Sequence, residues 1–426
     1  MGNKLRILGH YLVYKNRKFR TREQVEQYQQ KKLKKQLEFV TTHSVFYQDY
    51  AGKALEEYPL MDKKNMMENF NQLNTVGIDR DEALKFAIEG ERTREFDERL
   101  HGVTIGLSSG TSHSRGIFLV ADKEQDQWAG YVLAKFLPRS ILSPCKIAFF
   151  MRADSKLYQS MGSDKIQFIF FDIYKNMDEN IHKLQESGAD LLVAQPSVLL
   201  GLAKAVKEGR LNISPKKVIS IAEVLEEQDA AYIRECFGVP VIHQVYQCTE
   251  GCLATTCEYG TIHLNEDIVH FDKEYLDDRR FIPILTDFTR TSQPMIRYRM
   301  NDVLVEKKEP CPCGCAFTAL EKIEGREDDV FQFIRTDGTV EKIFPDFIRR
   351  CILFAGEITE YRVVQQEDGS ITIYADLTDA LKEHVREEFL LMLKEHQCNL
   401  VDVTFEKYTV KSGVKLKRVE SLYRIS

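Results

Sequence analysis

Between residues 101 and about 270 the chain alternates short apolar runs with stretches of helical period. KIAFFM (146–151), IQFIFFDIY (166–174), DLLVAQ (190–195), KVISIAE (217–223) and PVIHQVY (240–246) read as buried strands. MDENIHKLQESG and PSVLLGLAKAVKEG lie between them and read as helices that end at a glycine. Strand–helix alternation predicts an α/β fold with a parallel sheet, whose ligands sit at the carboxyl ends of the strands. GVTIGL (102–107) reads as one such strand, which would put the polar run after it, SSGTSHSRG, at such an end. Upstream, residues 21–40 predict a helix with Val25, Tyr28, Leu33 and Leu37 on its buried side and its Lys and Gln in water. Residues 65–100 read as charged helix.

From about 327 the pattern changes. VFQFIRTDGTV carries a DG hairpin signal, and EYRVVQQEDGSITIYAD reads as two strands about a second one. FPDFIRRCILF and LKEHVREEFLLMLKEH read as helices, and DVTFEKYTV as the final strand. This is a small α+β module of ordinary domain size. The expected organisation is a large domain over 1–326, helical over 1–100, and a small mobile domain over 327–426.

The chain has 426 residues, 43% hydrophobic and 29% charged, with a net charge of −6. This describes a globular protein of two or three domains with no general electrostatic case for nucleic acid. No run approaches the roughly 18 apolar residues of a membrane span. The start, MGNKLRILGHYLVYKNRKFR, lacks a small-residue cleavage site, and Arg6 stands where N-myristoylation asks for Ser or Thr. A long, mixed-charge chain with ten Cys fits the cytoplasm and reduced thiols better than a disulfide framework.

The polar run exposes hydroxyls and main-chain N–H groups, which suits phosphate. It is no Walker loop, because no Lys follows a Gly at the required place. Five further motifs follow in order: IAEVL (221–225), VYQCTEGC (245–252), MIRYRMNDV (295–303), IEGREDD (323–329) and SGVKLKRVE (412–420). Each is weak alone. In this order and spacing the set resembles the adenylate-forming superfamily, and within it the phenylacetate–CoA ligase and coenzyme F390 synthetase-like branch. The resemblance runs from about residue 20 to the end and is strongest over 104–116, 240–267 and 284–330.

The resemblance implies a site. Ser108, Ser109, Gly110 and Thr111 would contact the ATP phosphates, Glu250 would hold Mg²⁺, and Thr249 would add a phosphate hydrogen bond. Tyr246 would stack near the adenine, with the main chain of Ala222–Glu223 on its other side. Asp302 would take the ribose hydroxyls. Of Arg299 and Arg297, one would support the nucleotide and the other a structural carboxylate. Arg326, with Asp328 and Asp329, resembles the hinge between domains, and Lys415 the catalytic lysine, with Lys417 as fallback. The chain departs from the family in its phosphate loop, where the second Gly and the Lys are missing; His113 or Arg115 is a candidate to supply the lost charge. A Val also separates Gly413 from Lys415. The acid pocket would fall within 145–246, with Phe170, Phe171, Gln195, Pro196 and His243 as candidates.

Six cysteines cluster. CEYGTIH supplies Cys257 and His263, and CPCGC supplies Cys311, Cys313 and Cys315. Cys and His at two short spacings are the ingredients of a tetrahedral zinc site, and the resembling branch carries a similar arrangement. The expected ligands are Cys257, His263, Cys311 and Cys313, with Cys315 as a spare. Cys248 and Cys252 read as packing.

The resemblance implies a ligase that converts a small, aromatic carboxylic acid and MgATP to acyl-AMP and pyrophosphate. The acyl group would then pass to the thiol of CoA or of an acyl carrier protein. Adenylyl transfer of the F390 synthetase kind, or a nucleotide-binding scaffold without turnover, are the alternatives.

Overall fold

The computed structural model describes residues 2–93, 98–108, 115–151, 162–356, 358, 360–409 and 417–425. The chain forms two compact units. One contains residues 1–300 and 306–321; the other contains 301–305 and 322–426. The expected boundary after 326 therefore falls inside the second unit, which also takes the stretch carrying Asp302. Local bonding explains the division. Ala319 and Leu320 pair with His263 and Ile262, whereas the N–H of Glu327 donates to the Asn301 carbonyl and the Asn301 amide donates to Asp328.

The first unit opens with helices α1 (Gly2–Asn16), α2 (Arg22–His43), α3 (Lys63–Glu68), α4 (Phe70–Leu73) and α5 (Arg80–Thr93). Strands β1 (Thr104–Leu107) and β2 (Ile117–Val120) follow, then α6 (Asp122–Phe136). The central elements are β3 (Cys145–Met151), β4 (Ile166–Asp172), α7 (Met177–Ser187), β5 (Leu191–Ala194), α8 (Pro196–Lys207), β6 (Lys217–Ile221), α9 (Glu227–Phe237) and β7 (Ile242–Gln247). Next come β8 (Cys252–Thr256), β9 (Ile262–Leu264), β10 (Val269–Tyr275), β11 (Arg280–Asp287) and β12 (Tyr298–Arg299).

The five predicted strands form the parallel run β4-β3-β5-β6-β7, and β8 and β9 extend it antiparallel. Helices cover it, so β5 is buried at all four positions. Leu184, Leu199, Leu202, Ile233 and Phe237 from α7, α8 and α9 pack on Phe150, Leu192, Val218 and Ile242. As the glycines predict, α7 stops at Gly188, left-handed at its C-cap, and α8 ends just before Gly209, at φ +73°; α9, which the sequence reading did not pick out, stops in the same way at Gly238.

Two expectations are corrected here. β1 is not a strand of the parallel sheet; it pairs antiparallel with β2 in a separate two-stranded hairpin, Leu107 opposite Ile117. The polar run lies in sequence between these two strands, and of it only Ser108, Arg115 and Gly116 are among the described residues. On α2 the buried residues are Val25, Gln29, Gln36 and Val40, while Tyr28, Leu33 and Leu37 are half-buried. The Gln29 amide donates to the carbonyls of Glu266 and Val269, and Gln36 donates to that of Arg290. A buried amide that satisfies loop carbonyls is cheap, and a period of apolar residues cannot reveal it.

The second unit contains β13 (Asp302–Glu306) up to Val305, β14 (Ala319–Arg326) from Lys322, β15 (Phe331–Ile334), β16 (Val340–Ile343), α10 (Pro345–Ala355), β17 (Arg362–Gln365), β18 (Ile371–Tyr374), α11 (Asp379–Glu395), β19 (Val403–Glu406) and β20 (Val419–Ser421). Both DG turns close hairpins, β15–β16 and β17–β18. β19 is not the last strand: β20 follows and pairs parallel with β17, completing the order β19-β18-β17-β20. Three residues with one apolar side chain are too short to read as a strand. Ile348, Ile352, Val385, Phe389 and Leu393 of the two helices pack on Val363, Ile371 and Ile373.

One contact places α1. A Cβ on Gly130 of α6 would stand 2.5 Å from the His10 Cβ and 2.8 Å from the Ile7 carbonyl oxygen. Neither can move without moving α1. Gly130→Val should therefore cost about 1–3 kcal/mol of unfolding free energy by urea denaturation. An unchanged midpoint would show that the helices do not meet at this position.

Candidate active site and Cys–His cluster

The described ends of the candidate phosphate loop are tightly closed. Ser108 N–H donates to the Gly116 carbonyl at 2.9 Å, and its Oγ accepts from Gly116 N–H at 2.8 Å. Ser109, Gly110, Thr111 and His113 lie outside the described residues. Arg115 is engaged in an ion pair of its own. Its guanidinium grips both oxygens of Glu91, at 2.6 and 2.5 Å, and is neutralised there.

At the carboxyl ends of β6 and β7 the chain makes two turns. Ala222 has φ +65°, a conformation that costs an L-residue about 1 kcal/mol. The Glu223 carboxylate accepts from Ser197 N–H and Oγ, both at 3.1 Å, at the first turn of α8, where a negative charge is favoured. Tyr246 is buried near the end of β7. After it, Cys248 N–H donates to the Gly251 carbonyl and closes the turn that carries Thr249 and Glu250. Thr249 Oγ1 donates to one Glu250 oxygen at 2.9 Å, and the Tyr298 hydroxyl to the other at 3.2 Å. Burial and the Glu250 carboxylate push the Tyr298 phenol well up, so it stays a donor. Tyr298 was not legible as part of this group; it stands between two arginines in a strand of two residues.

The two arginines divide their work. Arg299 makes a bidentate pair with Glu274, 2.8 Å on each arm, so it is the one on a structural carboxylate. Arg297 donates to the carbonyls of Glu56 and Tyr58, both at 2.7 Å. In the second unit, Asp302 begins β13 and Arg326 ends β14. Buried Asp329 receives the Lys417 ammonium at 2.7 Å, and Lys417 reaches Glu420 at 3.2 Å. Lys417 is thus tied into its own unit. Lys415 lies outside the described residues.

The acid-pocket candidates separate. Gln195 and Pro196 sit together at the carboxyl end of β5, where α8 begins. Phe171 is fully buried and stacks on Phe150 at 4.5 Å, so it is core. Phe170 is half-buried. His243 lies toward the opposite end of the sheet, on a cavity of about 480 Å³ lined also by Lys217, Pro240, Thr256, Cys257 and Phe317. Burial lowers Lys217 to about 8; burial, with Lys217 nearby, lowers His243 to about 4. His243 and Phe171 are accordingly removed from the pocket.

The structure brings Cys257, His263, Cys311 and Cys313 together, with all four donor atoms within 4.8 Å of one another. The Sγ atoms of Cys257 and Cys311 are 3.6 Å apart, and Cys313 Sγ is 3.4 Å from His263 Nε2. A tetrahedral zinc with Zn–S bonds of about 2.3 Å spaces its sulfurs by about 3.8 Å. His263 Nδ1 faces the Phe317 carbonyl at 3.3 Å, which leaves Nε2 for the cluster. Turns present the thiols: Gly260 and Gly314, at φ +83° and +66°, close loops onto the carbonyls of Cys257 and Cys311. Burial works against ionising Cys311, but hydrogen bonds from Thr261, the Cys313 N–H and His263 outweigh it and hold the thiol at about 6. Cys315 is not among the four.

A polar hub behind the site carries no motif. Glu124 is buried and accepts from Ala121 N–H at 2.6 Å, from Ser292 N–H at 2.9 Å, and from Thr291 N–H and the hydroxyls of both Thr291 and Ser292. Gln293 accepts from Leu119 N–H and donates to the Ile117 carbonyl. Arg290 and Ser292 both donate to the Leu119 carbonyl. Asp287, fully buried, accepts from Thr289 and comes within 3.1 Å of where a Gly251 Cβ would stand.

Mixed parallel and antiparallel strands flanked by helices, with a separate small α+β unit, make a fold that the chain shares with solved structures of a CoA ligase and an acyl acid amido synthetase. The chain is similar to 2-hydroxyisobutyryl-CoA ligase in its postadenylation state with 2-HIB-AMP. The two are 15% identical, 96% of this chain and 91% of that one are covered, and the TM-score is 0.71. It is similar to the same ligase in an open conformation with 2-HIB-AMP and CoA, 17% identical over 93% and 90% of the chains with a TM-score of 0.60. It also resembles the GH3.15 acyl acid amido synthetase, 12% identical over 91% and 87% with a TM-score of 0.57. By sequence it is 24% identical over 225 residues to protein CapK of Staphylococcus aureus, a match spanning 52% of this chain and about half, 49%, of that protein's length. No family model matches the chain. Among the described residues no helix is long and apolar enough to cross a membrane.

Burial raises Asp287 to about 6, against Thr289 and Arg290, which lower it. The folded protein thus holds this proton more tightly than the unfolded chain, and stability is lost as pH rises from about 4 to about 6. Asp287→Asn removes the titration. Relative to wild type, the variant should gain about 2 kcal/mol of unfolding free energy between pH 4 and pH 7. Parallel pH profiles would rule this assignment out.

Proposed function

We propose that the chain is an adenylate-forming ligase. A small carboxylic acid attacks the α-phosphorus of MgATP, the bond to the β-phosphate oxygen breaks, and pyrophosphate leaves with the electron pair. A thiol, of CoA or of a carrier protein, then attacks the acyl-AMP carbonyl and AMP departs. The observation that carries this reading is the likeness, across more than nine-tenths of both chains, to a CoA ligase seen with its acyl-AMP. The Glu250 turn supports it: a carboxylate steadied by Thr249 and Tyr298 at a strand end is a hard oxygen donor of the kind Mg²⁺ prefers.

In this reading Ser108, Ser109, Gly110 and Thr111 receive the phosphates, and Thr249 adds a hydroxyl. The main chain of Ala222–Glu223 and the ring of Tyr246 bracket the adenine, and Asp302 takes the ribose. Arg326 keeps its hinge role. Arg299 loses its nucleotide role to Glu274. Lys415 is the catalytic lysine, its ammonium offsetting charge that develops on the α-phosphate, because Lys417 is already engaged. Gln195 and Pro196 remain candidates for the acid pocket, and an aromatic acid remains the proposed substrate class.

The Cys–His cluster is proposed to hold a structural Zn²⁺. Three thiol sulfurs and one imidazole nitrogen at these spacings fit that ion. When bound, zinc ties the β8–β9 turn to residues 311–313; it contributes no step of the reaction.

The leading test is pyrophosphate release from MgATP over aryl, fatty and amino acids, with and without CoA. Release with one acid class, made productive by CoA, is expected; ATP binding without release from any acid would favour the scaffold. Lys415→Ala should slow acyl-AMP formation by about 10²–10³-fold, whereas Lys417→Ala should lower the unfolding midpoint and spare the chemistry. The reverse result would exchange their roles. Elemental analysis should find about one zinc per chain. Cys311→Ser should lower the melting temperature more than the rate; metal-free protein of full stability would end the zinc assignment.

A further inference from the structure

Helix α1 buries one face and leaves another bare. Ile7, Tyr11 and Tyr14 are 4%, 3% and 6% exposed; the Tyr14 ring meets Tyr131 of α6 edge-on at 4.8 Å. Leu5, Leu8, Leu12 and Val13 are 68%, 38%, 50% and 51% exposed. Single exposed aliphatic residues are ordinary. Leu5, Leu8 and Leu12, however, recur at i, i+3 and i+7, which lines them up as one stripe on the helix, with Val13 beside it.

Charge borders the stripe. At about 100° per residue, Lys4 and Lys15 fall on the Leu8 edge and Arg6 on the Val13 edge, and Arg17 follows just past the end of the helix. Lys4 and Lys15 are exposed. Arg6 pairs with Asp126 at 2.6 Å, and Arg17 lies over the rings of Tyr14 and Tyr28 at 4.8 and 4.9 Å. His10 is lowered by burial and contributes no charge at neutral pH. Every charged side chain before Glu23 is a Lys or Arg, in a chain whose net charge is −6. This stretch therefore carries a local excess of positive charge.

An apolar stripe flanked by cations on a helix lying along a surface has the chemistry of an interfacial helix. We propose that α1 seats the protein on an anionic lipid bilayer, with Leu5, Leu8 and Leu12 at the acyl boundary and the flanking lysines among the headgroups. A second copy of the chain is a poorer occupant. Two such stripes face to face would oppose cation to cation with no carboxylate on either helix. Four aliphatic side chains are also a small fraction of the roughly 20–30 residues a side of a stable interface. An anionic surface answers both the apolar stripe and its border. The seating is peripheral and reversible.

The test uses the full chain and flotation with vesicles. Equal mixtures of phosphatidylglycerol and phosphatidylcholine should carry the protein up, and phosphatidylcholine alone should not. Raising salt to about 0.5 M should release part of it, since exposed charges are then screened. Leu5→Ser/Leu8→Ser/Leu12→Ser should lower partitioning about tenfold or more with an unchanged unfolding midpoint, because these side chains already face water. Lys4→Glu/Lys15→Glu should lower it without touching the leucines, and carries the test if the triple variant folds poorly. Wild-type protein that ignores anionic vesicles overturns the proposal. So does light scattering that shows a dimer in the wild type and a monomer in the leucine variant, which would give the stripe to a second copy.

Discussion

The carboxylate of Glu124 is the interaction on which the candidate site's geometry rests. It sits in the first turn of α6, where the helix dipole favours a negative charge, yet it spends most of its lone pairs on a loop far away in sequence. Thr291 and Ser292 give it main-chain and hydroxyl donors together. Arg290, Ser292 and Gln293 then bond to the backbone of β2, and Thr75 and Gln36 bond to the same loop from the helical side. Four residues, 290–293, thereby fasten the hairpin that ends in Ser108 to the body of the first unit. A buried carboxylate is expensive unless its lone pairs are filled. Here they are filled by groups that would otherwise be orphaned themselves, which makes the arrangement mutually obligatory.

The candidate site shows the same economy of charge. Arginines and lysines that read as free for a ligand prove to be tied: Arg115 to Glu91, Arg299 to Glu274, Lys417 to Asp329 and Glu420. Each of these cations already has a carboxylate partner within its own unit. What stays at the β7–β8 turn is a carboxylate steadied by neutral hydroxyls from Thr249 and Tyr298, a local environment suited to receiving a cation. The Cys–His cluster lies toward the other end of β8 and draws its thiols from two turns, and its imidazole from β9, of the same unit.

Period and punctuation made most of the architecture legible. The five parallel strands, the helices that stop at Gly188 and just before Gly209, and the two DG hairpins could be read because buried strands, left-handed caps and tight turns each demand particular residue types locally. The four cluster residues were legible for the same reason, since short spacings keep donors close whatever the fold. The hub was not. Glu124, Gln29, Gln36 and Gln293 are polar side chains whose burial depends on meeting carbonyls and N–H groups from elsewhere in the chain. Tyr298 joins Glu250 through a similar distant meeting.

By itself, then, the sequence determined the elements, the ordered motifs and which residue types could carry the chemistry, because those are properties of neighbours along the chain. The tertiary structure alone decided three things: that β1 pairs with β2 and not with the parallel sheet, which cations are already neutralised, and that His243 belongs to the far end of the sheet. Pairing, charge compensation and burial depend on partners dozens to hundreds of residues away, and only folding brings those partners within the few ångströms at which hydrogen bonds and ion pairs act.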